Sequence, residues 1–322
     1  MKPVLDVVAA VIRRPDGQVL IARRLEDADE GGLWEFPGGK REASESRFHA
    51  LRRELNEELD ITVARAFPLL RLRHEYPSKI VDLDIWEVSQ WHGNERGREG
   101  QRIKWVSPQD LESYDFPAAN KTIIDAARLP RALLPIPVFA NRGDFPLAKI
   151  HSWLSSGVGC ICWLPTDGAA NLSDFITAGI GAMCRCFATE FVDIGPADRE
   201  LNGGPRFPDL RPHVHRDVLI AAFEESKSAA QNSRNVILTG FRKSAPKGLS
   251  AMELSWRERA AVVERTAVPV YAVGGLRPTD LARAIGIGCQ GIVLDDNYWF
   301  ADPEIIRVSL RQSHEATGVS ED

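Results

Sequence analysis

Glu54, Glu57 and Glu58 are crowded into a segment that reads as a helix. At 3.6 residues per turn they fall within roughly 100° of one another, turned away from the apolar stripe of Phe48, Leu51, Leu55 and Leu59. Like charges at such spacing destabilise an isolated helix by about 0.2–0.5 kcal/mol per pair, so a compensating cation is the natural explanation. Hard divalent ions take carboxylate oxygens, and Mg²⁺ is commonly shared between protein carboxylates and substrate phosphates. Taken alone, the three glutamates also fit a solvated acidic helix face.

The flanking chain supplies the elements that must position these groups. Residues 4–12 are apolar and β-branched, a polar Arg-Arg-Pro-Asp-Gly turn follows, and residues 19–22 form a second apolar run, which together predict a β-hairpin. Trp34-Glu35-Phe36-Pro37 enters Gly38 and Gly39 as an extended segment, where glycine lets the backbone come close to a ligand and offers a carbonyl oxygen. Residues 80–86 alternate apolar and acidic side chains as a half-exposed strand, 95–101 form a charged loop, 103–106 a short strand and 121–127 a helix.

The 322 residues suggest two domains. A net charge of -5 argues against broad binding to nucleic acid polymers, though not against a small nucleotide carried with Mg²⁺. No apolar run is long enough to span a bilayer, the first residues lack a secretory signal, and five cysteines follow no disulfide-framework spacing, so a cytosolic protein without membrane partners is expected.

Gly39, five residues, Glu45, seven residues, then Arg53-Glu54-Leu55-Asn56-Glu57-Glu58 resembles the Nudix box, G-x5-E-x7-R-E-U-x-E-E-x-G-U, with U aliphatic. Asp60 stands where that pattern has glycine. Residues 4–128 as a whole resemble the MutT-type hydrolases of oxidised nucleotides. Gly97-Arg98-Glu99-Gly100-Gln101 is similar to the family loop whose glutamate joins the metal site, and Phe116-Pro117-Ala118-Ala119-Asn120 to its F-P-x-A-N segment. The resemblance implies an α/β/α sandwich on a mixed sheet and a metal, Mg²⁺ or Mn²⁺, held by the Gly39 carbonyl, Glu54, Glu57, Glu58 and Glu99. It implies Glu54 as first choice for general base, Glu99 as second, and Arg53 and Glu45 as positioning groups. Asn120 then reads the purine edge, for which a planar amide with donor and acceptor is apt; read without the family, an Asn at this point is an N-cap. Arg24 and Lys79 become candidates for phosphate or base contacts, and Phe36 for a wall of the base pocket. The implied reaction is conversion of 8-oxo-dGTP to 8-oxo-dGMP and pyrophosphate, serving nucleotide-pool sanitation. A Nudix enzyme for another diphosphate, such as a thiamine-pathway metabolite, and a nucleotide-sensing module without turnover are the alternatives.

Three prolines interrupt residues 129–137, and the expected organisation is 1–130, a linker at 131–137, and a second domain over 138–322. Helices are predicted at 148–156, 172–178, 217–230, 256–265 and 279–285, and strands at 159–164, 236–239, 268–273 and 290–294, a repeated βα pattern. Gly274 and Gly275 close the strand at 268–273 just before a helix, which suits a phosphate cradle. This part resembles the end of thiamine-phosphate synthases, which are (β/α)8 barrels, and so implies a TIM-barrel-like domain. The synthases' early L-R-x-K motif is replaced by Cys160-Ile161-Cys162-Trp163-Leu164-Pro165, and Thr239 to Lys247 keeps only part of their pyrophosphate loop, so a degenerate barrel with an unknown ligand is expected. Cys160, Cys162, Cys184 and Cys186 could hold zinc or pack as buried thiols, and His213 with His215 could form a metal pair.

Overall fold

The computed structural model describes residues 2–136, 147–164, 186–190, 218–220, 236–239, 255–264 and 269–316. Strand β1 (Val4–Ile12) runs through the centre of a four-stranded mixed sheet. It pairs in parallel with β6 (Ile80–His92) and antiparallel with β4 (Gly38–Lys40), and β5 (Thr62–Glu75) covers the far side of β6 antiparallel. A second sheet places β2 (Val19–Arg23) between β3 (Trp34–Glu35) and β7 (Ile103–Val106), all antiparallel.

Because successive side chains of a strand face opposite sides, β1 feeds two cores. Val8, Ala10 and Ile12 pack with Ala50, Leu51, Leu55 and Leu59 of α1 (Arg47–Leu59). Ala9 and Val11 pack with Ile123, Ile124, Ala126 and Ala127 of α2 (Lys121–Arg128). The result is the α/β arrangement with a mixed sheet that the Nudix resemblance implies, and Leu51, Leu55 and Leu59 of the α1 stripe are fully buried as their spacing requires.

Two local expectations change, and two elements appear for which the sequence carries no expectation. The 131–137 stretch contains a strand, β8 (Ala132–Ile136), in place of a linker. Leu133 and Leu134 are fully buried there, and Pro135 does not prevent parallel pairing with its neighbour. Within 217–230, Val218–Ile220 is a strand, because a short apolar run in register with Val236–Thr239 gains a ladder on both sides. Strand β5 carries little alternation to read, since register shifts around Arg65 and between Pro68 and Leu70 break its period. A helix over Pro303–Glu315, which the sequence reading does not assign, starts at Asp302, whose side chain accepts from the Glu304 N–H, and buries Ile306 and Leu310.

The described strands beyond β8 are β9 (Gly159–Leu164), β10 (Cys186–Glu190), β11 (Val218–Ile220), β12 (Val236–Thr239), β13 (Val270–Leu276) and β14 (Gly291–Leu294). Each pairs in parallel with the next, and β14 pairs with β8, so these seven strands follow a closed order. The described helices are α3 (Leu147–Ser155), α4 (Trp256–Val263), α5 (Leu281–Gly286) and α6 (Pro303–Glu315). The helix expected at 172–178, Cys184, His213, His215 and residues 240–247 lie outside the described residues, as do the side chains of Cys160, Cys162 and Cys186. No described helix is long and apolar enough to cross a membrane.

The two halves share buried contacts. Phe67 of β5 belongs to the core formed by Ala132, Ile150, Trp153, Ile292 and Ile306. Glu87 of β6, 2% exposed, faces Arg131 at 2.7 Å and Arg13 at 3.4 Å, with His314 Nε2 at 3.9 Å. Gln290 donates to the Ala126 and Leu129 carbonyls, and Arg131 donates to that of Gln290.

Candidate active site

Helix α1 begins at Ser46, whose hydroxyl accepts from the His49 N–H, and its buried leucines fix which face is turned toward β4. On that other face Arg53 is the hub. It donates to both Glu45 oxygens (2.7 and 2.9 Å), to Glu54 (2.9 Å), to Glu57 (3.1 Å) and to the Lys40 carbonyl (2.9 Å). The guanidinium, followed by the Glu42 N–H, holds the Glu45 carboxyl down to about 2. Arg53 thereby locks the glycine turn to the helix.

Glu54 lies against that turn. A Cβ on Gly39 would stand 2.2 Å from the Glu54 carboxylate, whereas one on Gly38 would stand 2.1 Å from the Val8 carbonyl. Gly38 is therefore required by backbone packing, with φ of 150° besides, while Gly39 makes room for a carboxylate. Gly39→Ala is expected to displace Glu54 and depress turnover with little change in Tm, while Gly38→Ala is expected to unfold at lower temperature; paired melting and turnover assays check both.

Glu58 accepts from the Gly38 N–H at 3.0 Å. Burial, then the charge of Glu35, pushes its carboxyl up to about 8, with Glu99 and Glu54 adding to the rise and the Gly38 N–H opposing it. Glu54 is raised by burial, against the pull of Arg53. Glu35 is raised by burial too, against Arg24, which pairs with it at 2.5 Å, and it also feels Glu99. Four carboxylates thus share one electrostatic neighbourhood, and such a donor set suits a hard divalent cation. As the side chains stand, no three His, Cys, Asp or Glu among the described residues converge into a ligand set, because Glu54 and Glu57 are turned onto Arg53. Glu35 has no place in the sequence-based site; an acid set between Trp34 and Phe36 just before the glycines is the signal that points to it.

Arg24 donates to the Asp29 carbonyl, and Lys79 donates to the Asp29 carboxylate and lies 5.5 Å from the Tyr76 ring centre, so the two candidate cations meet at one loop. Phe36 is 3% exposed and stacks on Phe116 at 5.6 Å, which backs the segment leading to Asn120. Asn120 opens α2 without a side-chain capping hydrogen bond, and its backbone N–H donates to the Pro117 carbonyl. Its amide is not spent on the helix. In the second half, Gly274 and Gly275 have φ of 108° and 54°, values that call for glycine whatever the site binds.

A cleft of about 450 Å³ lies elsewhere, on the sheet face bearing Asp6, Asp82 and Asp84, with Glu264 on its rim. Its arginines are already paired: Arg41 with Asp6, Arg47 and Arg71 with Asp84, Arg73 with Asp82. It shares no lining residue with the carboxylate site.

The family and relatives that match this fold make the chain a hydrolase of diphosphate anhydride bonds. Residues 8–126 match the family described as NUDIX domain, and the chain belongs to that family, whose members generally use a divalent metal. The chain is 41% identical to the 8-oxo-dGTP diphosphatase of Haemophilus influenzae over 123 residues, 38% of this chain and 90% of that protein. It is 38% identical to the 8-oxo-dGTP diphosphatase of Escherichia coli over 120 residues, covering 37% and 93%, and 38% identical to the Escherichia coli CTP pyrophosphohydrolase over 131, covering 41% and 96%.

Proposed function

We propose that the chain hydrolyses 8-oxo-dGTP to 8-oxo-dGMP and pyrophosphate with Mg²⁺, removing an oxidised nucleotide from the cytoplasmic pool. The observation that carries the substrate is the Asn120 amide, which makes no capping hydrogen bond and follows Phe116, the ring that stacks on Phe36; two relatives similar to this chain are named for this reaction. A planar amide meets an oxopurine edge with one donor and one acceptor.

The residues proposed to hold Mg²⁺ are Glu54, Glu57, Glu58, Glu99 and the Gly39 carbonyl; Mn²⁺ fits the same donors. When bound, the ion supplies neutralisation of the phosphate chain and a lowered pKa for water. Glu54 takes the proton of the attacking water: partial burial raises its carboxyl, which improves it as a base near neutral pH. The water oxygen bonds to phosphorus, the bridging P–O bond breaks, and pyrophosphate leaves. Arg53 and Glu45 hold the glycine turn and helix in register, and Arg24 with Lys79 faces the substrate's anionic end or base. Asn120→Ala is expected to lower kcat/KM for 8-oxo-dGTP by about 5- to 150-fold, the range of one bidentate base contact, with a smaller effect on CTP. Equal losses for both nucleotides would remove Asn120 from base recognition. CTP is the second reading, favoured by the Escherichia coli relative of that name.

For the second half we infer a TIM-barrel-like domain similar to thiamine-phosphate synthases but without their activity, joined to the first near residues 131–137. Seven parallel strands in closed order support the architecture, and the glycines ending β13 support a phosphate role for Gly274 and Gly275.

A further inference from the structure

Asp60 occupies a position that works against it twice. Its backbone is left-handed, with φ 61° and ψ 33°, a conformation that suits glycine or asparagine better. It also puts a negative charge at the C-terminal end of α1, where the helix dipole favours cations, and the last turn of α1 holds no basic residue. The cations come instead from the loop that carries Glu99. Arg96 places Nε at 2.9 Å and a terminal nitrogen at 2.7 Å from Asp60 Oδ2, and Arg98 lies 3.8 Å from Oδ1.

The same loop satisfies the open carbonyls of the helix end. The Arg96 N–H donates to Leu59, the Arg98 N–H to Glu58, and the Arg98 guanidinium to Asn56. Gln101 completes the connection: its amide nitrogen donates to the Glu58 carbonyl and its amide oxygen accepts from the Glu99 N–H. The Asp60 carboxylate therefore acts beside these bonds to the helix-end carbonyls in holding the segment that carries Glu99, whose charge reaches Glu58.

We propose that Asp60 is a positioning residue, a latch that docks the Glu99 loop onto the end of α1 through Arg96 and Arg98. The role in metal binding rests on the proposed function; the docking itself does not. Glycine at this position relieves the backbone and leaves the loop less firmly held, so the latch and the helix cap respond in opposite directions to the same substitution.

The test uses the full chain and the variants Asp60→Gly, Asp60→Asn and Arg96→Gln. Glycine and asparagine accept the left-handed conformation, so both keep the cap and remove only the charge. Without metal or nucleotide, amide hydrogen exchange over residues 96–101 is expected to rise about two- to five-fold in each, the range of an exposed ion pair, with Tm of the Asp60 variants unchanged or higher. Mn²⁺ affinity, read from the free-ion paramagnetic signal, is expected to weaken by a similar factor. The double variant Asp60→Asn/Arg96→Gln is expected to add nothing to either single one. Exchange and Mn²⁺ affinity equal to wild type in Asp60→Gly and Asp60→Asn would overturn the latch. Both readouts are taken without substrate, so they judge the latch whichever nucleotide is hydrolysed.

Discussion

Glu57→Gln is expected to lower kcat/KM for pyrophosphate release by about 10²–10³-fold, the scale on which one group stabilising transition-state charge is missed. The substitution is informative because Glu57 has so little structural work. Its side chain is 55% exposed, and Arg53, with which it pairs, keeps Glu45, Glu54 and the Lys40 carbonyl when Glu57 is neutralised. An exposed pair of this kind is worth about 0–1 kcal/mol, so the melting temperature should hardly move. A loss of activity without a loss of stability assigns the carboxylate to the reaction; steady-state kinetics alongside a thermal melt decides it. Full retention of turnover would remove Glu57 from the metal-binding set.

The second large effect falls far from this site. Glu87→Gln is expected to destabilise the chain by about 3 kcal/mol, the lower end of the cost of removing one partner from a buried ion pair, because Arg13 and Arg131 keep some contact with solvent. Burial alone would raise the Glu87 carboxyl, yet Arg131 and Arg13 bring it down to about 2. His314 is lowered to about 4 by burial and by Arg131, so it is neutral near pH 7 and adds no ion pair there. Both groups bind protons more weakly in the folded chain than in the unfolded one, so stability falls as pH falls. The His314 contribution is lost from about pH 6.5 down to about 4, and that of Glu87 from about 4.5 down to about 2. Denaturant melts of wild type and Glu87→Gln from pH 7 to pH 4 check this. The wild-type curve should decline through this window, and the difference between the two should shrink in its acid part as Glu87 of the unfolded chain begins to protonate. Because Phe67 and Glu87 are buried partly by elements beyond residue 130, a chain ending at Arg128 is expected to be less stable than the full one.

How far the sequence foretells this structure depends on whether the signal is local. The stripe of α1, the strands at 4–12 and 103–106 and the helix at 121–128 are legible because periodicity and flanking turns are properties of the segment itself. Strand β5 is not, since its bulges and Pro68 break alternation and its partner β6 supplies the order. The 131–137 stretch resembles a linker because prolines are punctuation within a segment, whereas the burial of Leu133 and Leu134 depends on neighbours distant in sequence. Among the candidate site residues, helical spacing exposes Glu54, Glu57 and Glu58 as a cluster, whereas Arg53 and Glu45 enter as positioning groups only through the resemblance to the Nudix box. Neither exposes Glu35, whose part in the shared field arises only when β3 is folded beside α1. Asp60 is visible as a departure from glycine, but the reason for it, Arg96 and Arg98 approaching from another loop, is a tertiary fact.

The most direct test of the proposed activity is pyrophosphate release by the full chain from 8-oxo-dGTP, dGTP and CTP, each with Mg²⁺ and over a range of substrate concentration. The expected result is a kcat/KM for 8-oxo-dGTP well above those for dGTP and CTP. Preference for CTP, or no distinction between 8-oxo-dGTP and dGTP, would contradict the assignment of Asn120 to an oxopurine edge and of the chain to nucleotide sanitation.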